Sequence, residues 1–299
     1  MVRIIGVLSL ALLMTACIEE PKTKDDPPLA PSYGVIYPAS GQTTAASLDS
    51  LAQLQAFAAV FELHHRHQPV FYYWLESTIS LTEEDPTQLM GACTGPLSRS
   101  IEIEAEDEGE GEGQIAVFNH QLTFNGYCNP NPLWNTHSKE FGSLQVQGVA
   151  DLYNVEFYSY TINREAYYQV SVGGKLVVST QSEYPTYTFE HLVIEQDAPS
   201  ILAKYQDLKI SQVGDGDIYT GVLYHPDYGR VQISTGPLEG DRVQTAEDEQ
   251  PINRPFAGRL RFDASGNRGW VTFLTQDDYR LELDLGTNNV IDQQQDTSW

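Results

Sequence analysis

The chain has 299 residues and carries 41 acidic against 17 basic side chains, a formal net charge of −24. That balance opposes nucleic acid and anionic lipid surfaces as partners, and no basic block offsets it. About 260 residues lie beyond a polar N-terminal stretch, enough for one large all-β domain or two smaller ones. The 17 tyrosines, with frequent Val, Ile and Thr, point toward sheet.

The chain begins MVRIIGVLSLALLMTACIEE, with Arg3 ahead of an apolar run from Ile4 to Ala16. A bilayer-spanning helix needs roughly 20 apolar residues, so this run fits the core of a cleaved signal peptide over residues 1–16 instead. Thr15 and Ala16 are small and stand just before Cys17, and LLMTAC resembles the bacterial lipobox. That resemblance implies cleavage before Cys17 and lipidation of its thiol, a firmer anchor than a single fatty chain provides. Ile18 rather than Asp follows the cysteine, which by analogy with enteric sorting implies the outer membrane, facing the periplasm or the cell surface. Residues 17–42 then read as a tether, since Pro21, Pro27, Pro28, Pro31 and Pro38 stand among Lys, Asp and Ser.

The folded part is expected over residues 43–299 as a single mainly-β domain with an N-terminal helix. Leu48, Leu51, Leu54, Phe57, Ala58 and Phe61 recur at three- and four-residue spacing, the stripe of an amphipathic helix. Thr43 or Thr44 would cap its start and Pro69 would mark its end. The aromatic, β-branched run VFYYWLESTISL after Pro69 reads as a buried strand.

From Ser98 onward the period changes to two. SRSIEIEAE and GQIAVFNHQLTF flank EDEGEGEG, which alternates Glu with Gly instead of supplying the spaced Asp and Asn ligands of a calcium loop. It reads as a solvated hairpin tip. With Cys17 assigned to lipid, Cys93 and Cys128 remain, and in an oxidising compartment they are expected to form one disulfide. Short turns such as GDGD at Gly214 to Asp217, DYG at Asp227 to Gly229, and ASGN separate the later strands, as in an antiparallel meander. Between Leu238 and Pro255 an acidic, turn-rich segment reads as an excursion off the sheet. One face of such a sheet must be covered, and the helix is the candidate to cover it. The expected architecture is therefore a curved sheet or incomplete barrel with the amphipathic helix against it; a two-sheet sandwich is the alternative.

The segments YHPDYGRVQIST and AGRLRFDASGNRGWVTFLTQDDYRLELD, together with NGYC and GSLQVQG upstream, resemble a group of β-rich outer-membrane lipoproteins of Gram-negative bacteria. The resemblance covers roughly Cys93 to the C-terminus. It implies an envelope address and a β fold, and implies no particular chemistry. The Asp/Gly-rich turn usual near the end of that group is replaced here by LGTNNVIDQQQDTSW.

Chemistry-bearing residues are sparse. His64 and His67 stand three apart in HHRH and could share a metal ion, but no HExxH-type partner accompanies them. At the end of a helix such histidines would otherwise meet terminal carbonyls or solvent. His120 and His191 fall within strands, and the His225/Asp227 pair reads as fixing its turn. No nucleophile elbow or phosphate loop is present, and no cofactor is implied. The expected function is a non-enzymatic binding or scaffolding role in the envelope, toward a protein or glycan partner. Tyr153, Tyr158, Tyr160, Tyr167, Tyr168, Tyr184 and Tyr187 are candidate contact residues, the alternative being cross-strand or core packing. A carrier of lipid in a half-barrel cavity, and a hydrolase with an unrecognised site, are the other two readings.

Overall fold

The two-residue alternation becomes one very long sheet. The computed structural model describes residues 34–38, 43–93, 95–106, 115–129, 138–149, 151–164, 168–245 and 254–299, all belonging to one compact unit. After the helix α1 (Leu51–Ile79) come β1 (Gln88–Met90), β2 (Pro96–Glu106), β3 (Ile115–Tyr127), β4 (Ser138–Val149) and β5 (Leu152–Arg164). Next are β6 (Tyr168–Ser179), β7 (Thr186–Asp197), β8 (Ser200–Val213), β9 (Gly216–His225) and β10 (Gly229–Thr235). The chain continues with β11 (Gln244–Thr245), β12 (Pro255–Ala257), β13 (Arg259–Asp263), β14 (Asn267–Phe273), β15 (Asp278–Leu285) and β16 (Gln293–Ser298). Fourteen of these strands form a single antiparallel meander in chain order, from β1 at one edge to β16 at the other. The sheet is not closed into a barrel, and it is one sheet, not two facing layers. The expected excursion is there too: β11 and β12 pair only with each other and leave β10 to pair with β13.

The helix differs most from its sequence reading. It starts later, with Ser50 as N-cap accepting from the Gln53 amide. Thr44 and Ala46 instead run beside β10, bonded to both backbone groups of Arg230. It also ends later, because Pro69 lies inside it and VFYYWLESTI forms its last turns, not a strand. A proline there removes one intrahelical donor and normally kinks or breaks a helix. Here Phe71, Trp74, Leu75 and Thr78 repeat the helical spacing beyond it, and all four are buried. Burial of this second half outweighs the local cost of Pro69.

In its middle turns the helix is buried around its whole circumference: every residue from Val60 to His65 is buried. A helix enclosed on all sides needs a surrounding sheet, and α1 touches β4, β8, β9, β14, β15 and β16. Bulges bend the sheet around it. The register shifts by a residue or more between β4 and β5, β5 and β6, β6 and β7, and β8 and β9, and such insertions add twist and curvature. At Gly269 on β14 a Cβ would stand 2.7 Å from a methyl of Leu54, so the missing side chain lets the helix seat against the strand. Inward-facing Phe157, Phe189, Leu223, Phe262 and Leu281 complete a continuous core with Phe57 and Phe61.

Cys93 and Cys128 are joined, with their Cα atoms 5.3 Å apart. The bridge ties the segment after β1 to the end of β3, where Ala92 also donates to the Cys128 carbonyl. No helix among the described residues is long and apolar enough to cross a membrane.

Candidate functional site

Midway along α1 the buried face turns polar. His65, Gln68 and Tyr72 follow one another at spacings of three and four, which puts them on one side of the helix. Opposite them β9 begins, and Asp217 and Tyr219, two apart on a strand, share its inward side. The Tyr219 hydroxyl lies 2.9 Å from His65 Nδ1, 3.0 Å from Gln68 Oε1 and 3.4 Å from Asp217 Oδ2. On the far side of the imidazole, Thr245 Oγ1 lies 3.0 Å from His65 Nε2. Thr245 belongs to β11, which is held on β9 by the paired backbone bonds of Asp217 and Val243. The acidic excursion therefore completes this cluster.

Counting protons shows what the cluster lacks. A phenol has one hydrogen to give, and Tyr219 faces three groups that can accept it. If Thr245 donates to His65 Nε2, the imidazole carries its proton on Nδ1 and donates to Tyr219. Tyr219 then gives its own to Gln68, the nearer of the two remaining acceptors. Asp217 is left with open acceptor capacity.

That capacity faces a cleft of about 800 Å³. The cleft is lined by His65, Gln68, Pro69 and Tyr72 of α1, by Gln212 and the β8–β9 turn through Asp217, by Val243 to Thr245, and by Phe256 of β12. Burial pushes the Asp217 carboxyl up to about 6, against the opposing effect of the neighbouring Gln68 and Tyr219. Burial pushes His65 down to about 4, so its ring is neutral near pH 7. The Tyr72 hydroxyl is buried without a hydrogen bond of normal geometry, although Gln68 faces it, while its ring stacks on Tyr187 at 3.8 Å between centroids. No lysine or arginine lines the cleft among the described residues. Arg242, on the neighbouring segment, is turned toward the Val213 carbonyl at 3.3 Å and toward Glu239 at 3.7 Å.

A second buried acid lies toward the other end of the helix. Trp74 Nε1 donates to the Tyr160 hydroxyl at 3.0 Å, and Glu140 of β4 sits beside them, fully buried. Both Glu140 oxygens lack a hydrogen bond of normal geometry, although Tyr160 and Trp74 face them. Burial pushes this carboxyl up to about 8.

The residues singled out from the sequence are dispersed. Cys17 lies outside the described residues, as does EDEGEGEG beyond Glu106, although Glu106 pairs with Ile115 across the hairpin that contains it. His64 and His67 lie in mid-helix, not at a helix end. His64 is sealed among aromatic rings with Phe189 edge-on at 4.5 Å, and neither of its nitrogens has a hydrogen-bond partner. His67 Nδ1 meets the Leu63 carbonyl at 2.8 Å. Among the described residues no group of three or more His, Cys, Asp or Glu is placed to hold a metal ion. His225 Nδ1 accepts from the Asp227 amide at 3.2 Å, which fixes the turn. Of the candidate contact tyrosines, Tyr160 is core and Tyr184 is exposed, while Tyr153, Tyr158 and Tyr187 are half-buried. Tyr168 starts β6, and Tyr167 lies outside the described residues.

Sequence reasoning missed His65, Gln68, Tyr72, Asp217, Tyr219 and Thr245. The signal was a run of polar residues at helical spacing beside Pro69, and an acid two residues before a tyrosine at a strand start. Comparison with models of protein families, with curated proteins and with solved structures found no match to this chain.

Proposed function

We propose that this chain is a lipid-anchored envelope protein with a non-enzymatic binding role, tethered through Cys17 and holding part of an envelope protein or glycan in the cleft beside Asp217. The observation that carries the binding reading is the cleft itself, a concavity whose polar wall is already fixed by mutual hydrogen bonds and whose acid has acceptor capacity to spare. The lipobox supports the address, and the Pro-rich stretch supports a domain held clear of the lipid surface.

The other readings find less support. A lipid carrier needs an empty apolar interior, and α1 with its Phe57, Phe61, Phe71 and Trp74 fills the space inside the sheet. A hydrolase needs a basic imidazole beside its nucleophile, and burial pushes His65 down to about 4, which leaves it a weak base toward the Thr245 hydroxyl.

Two measurements test the proposal. Cys17→Ser is expected to move the full-length protein from the membrane to the soluble fraction, or to stall its processing. Fractions of envelope extract are expected to raise the melting temperature of the wild type by mass action, and to leave that of Asp215→Trp, which fills the cleft mouth, unmoved. A Cys17→Ser protein that is cleaved normally and still sediments with membranes removes the anchor. Equal shifts in the wild type and the blocked variant remove the cleft.

A further inference from the structure

The binding reading leaves open what the cleft recognises, and its charge pattern narrows the choice. Two carboxylates, Asp215 and Asp217, belong to its wall, and among the described residues no cation does. Asp215 is exposed at the rim, whereas Asp217 is half-buried behind it. A half-buried carboxylate normally gains a cation or several donors. Asp217 has only two neutral neighbours to stabilise its charge, the Gln68 amide and the Tyr219 hydroxyl at 3.4 Å, and no cation reaches it. At the same wall the Tyr72 hydroxyl is buried without a hydrogen bond of normal geometry, although Gln68 faces it. The protein side thus offers this acid neutral donors alone and leaves the positive charge to be brought by something else.

We propose that the cleft binds a ligand through an ammonium or guanidinium group, seated against the Asp217 carboxylate with Asp215 at the rim and the rings of Tyr72 and Phe256 alongside. This rests on the binding reading above. An alkylammonium has three N–H donors and no acceptor, which matches a wall already rich in acceptors. Its apolar stem would lie along Pro69, Val243 and Phe256, the less polar part of the lining. An anionic ligand would meet two carboxylates and no counter-charge. A neutral polyol would supply donors but leave the half-buried charge unpaired. The net charge of −24 also draws a cationic ligand toward the molecule at low ionic strength.

The test uses the whole folded protein with spermidine and arginine amide as probes, and 1,5-pentanediol and a neutral oligosaccharide as uncharged controls, followed by calorimetry at pH 7.5. Saturable binding of one cationic probe per chain is expected. Asp217→Asn keeps the shape and removes the charge, and it should weaken binding about tenfold or more, as expected for loss of a charge-assisted hydrogen bond. The exposed Glu183→Gln, which removes one surface charge elsewhere, should leave the affinity unchanged. The melting temperatures of both variants check folding. Should Asp217→Asn fail to fold, Asp215→Asn and competition between the two probes supply the same readout from the rim. Weak, multi-site binding that both variants retain identifies non-specific attraction to an acidic surface and overturns the assignment. Saturable binding of the neutral oligosaccharide without binding of either amine also overturns it, while leaving the binding reading in place. Failure of every probe together with every envelope fraction removes both.

Discussion

Two acids, one half-buried and one fully buried, sit beside α1, and they are built from similar parts. Each is a carboxyl on a strand beside a buried tyrosine hydroxyl that bonds to a polar side chain of the helix: Asp217 with Tyr219 and Gln68, Glu140 with Tyr160 and Trp74. They differ in what lies beyond the acid. Asp217 looks into an open cleft and is pushed up only to about 6; Glu140 is sealed and is pushed up to about 8. Near neutral pH the first is mostly ionised and the second mostly protonated. The same local chemistry yields an anion that can take a partner at one end and a neutral, costly core group at the other, and access to water makes the difference.

The largest effect that separates the two ends is expected from truncating their helix residues. Trp74→Ala removes a large side chain from the sealed core together with the donor to Tyr160, and should cost about 3–5 kcal/mol. Gln68→Ala at the open end leaves Tyr219 with His65 and Asp217 as neighbours and should cost about 1–2 kcal/mol. Chemical denaturation of both variants measures the gap. Equal losses would mean that the open cluster is as much a part of the core as the sealed one.

A smaller effect isolates the sealed acid. Because Glu140 is raised from 4.5 to about 8, the folded state holds its proton where the unfolded chain has lost it. Its contribution to stability is complete below pH 4.5 and is lost as pH rises through 8. Between pH 6.5 and 8 the histidines of the unfolded chain are still losing protons, a contribution common to wild type and variant, so Glu140 is read from the difference between the two. Relative to Glu140→Gln, wild-type stability should fall by about 1.4 kcal/mol per pH unit at the lower end of that range and by about half as much near pH 8. A variant with the wild-type slope would show that Glu140 reaches water after all.

The smallest effect lies at two histidines in the middle of the helix. His64, held well below its ordinary value by burial and then by its histidine neighbours, and His65, held at about 4 by burial, contribute stability above pH 6.5 that is lost as pH falls. His64→Phe removes two unpartnered nitrogens from an aromatic pocket. It should change stability at pH 7 by less than about 1 kcal/mol and shallow the acid limb by up to about 1.4 kcal/mol per pH unit. An unchanged limb below pH 6.5 would assign the acid loss to other groups.

How legible the molecule was in its sequence follows from the range of the forces involved. Strand alternation, the turns, the excursion and the disulfide are local or pairwise, and each leaves a mark in composition or spacing. The later half of α1 does not, because Pro69 and an aromatic, β-branched run argue locally for a break and a strand. Only the surrounding sheet reverses that, by burying Phe71, Trp74 and Leu75 together. Ser50, with Gln53 three residues on, did carry a capping signature, and the pull of Thr43 and Thr44 concealed it. The site was harder still. Its members come from α1, β9 and β11, up to 180 residues apart as in the His65–Thr245 bond, and nothing in the chain announces that they meet.

The meander has a consequence for how the chain reaches this state. Each strand of the sheet pairs with one near it in sequence, so pairing can advance step by step as synthesis proceeds. The helix cannot keep pace, because its partners run from β4 to β16 and Trp299 closes over Phe273 and Tyr279. The helix is thus made before the sheet and enclosed last. For most of synthesis Leu54, Phe57, Phe61 and Phe71 await their cover, and the time taken to make β5 through β15 sets the interval in which self-association competes with folding.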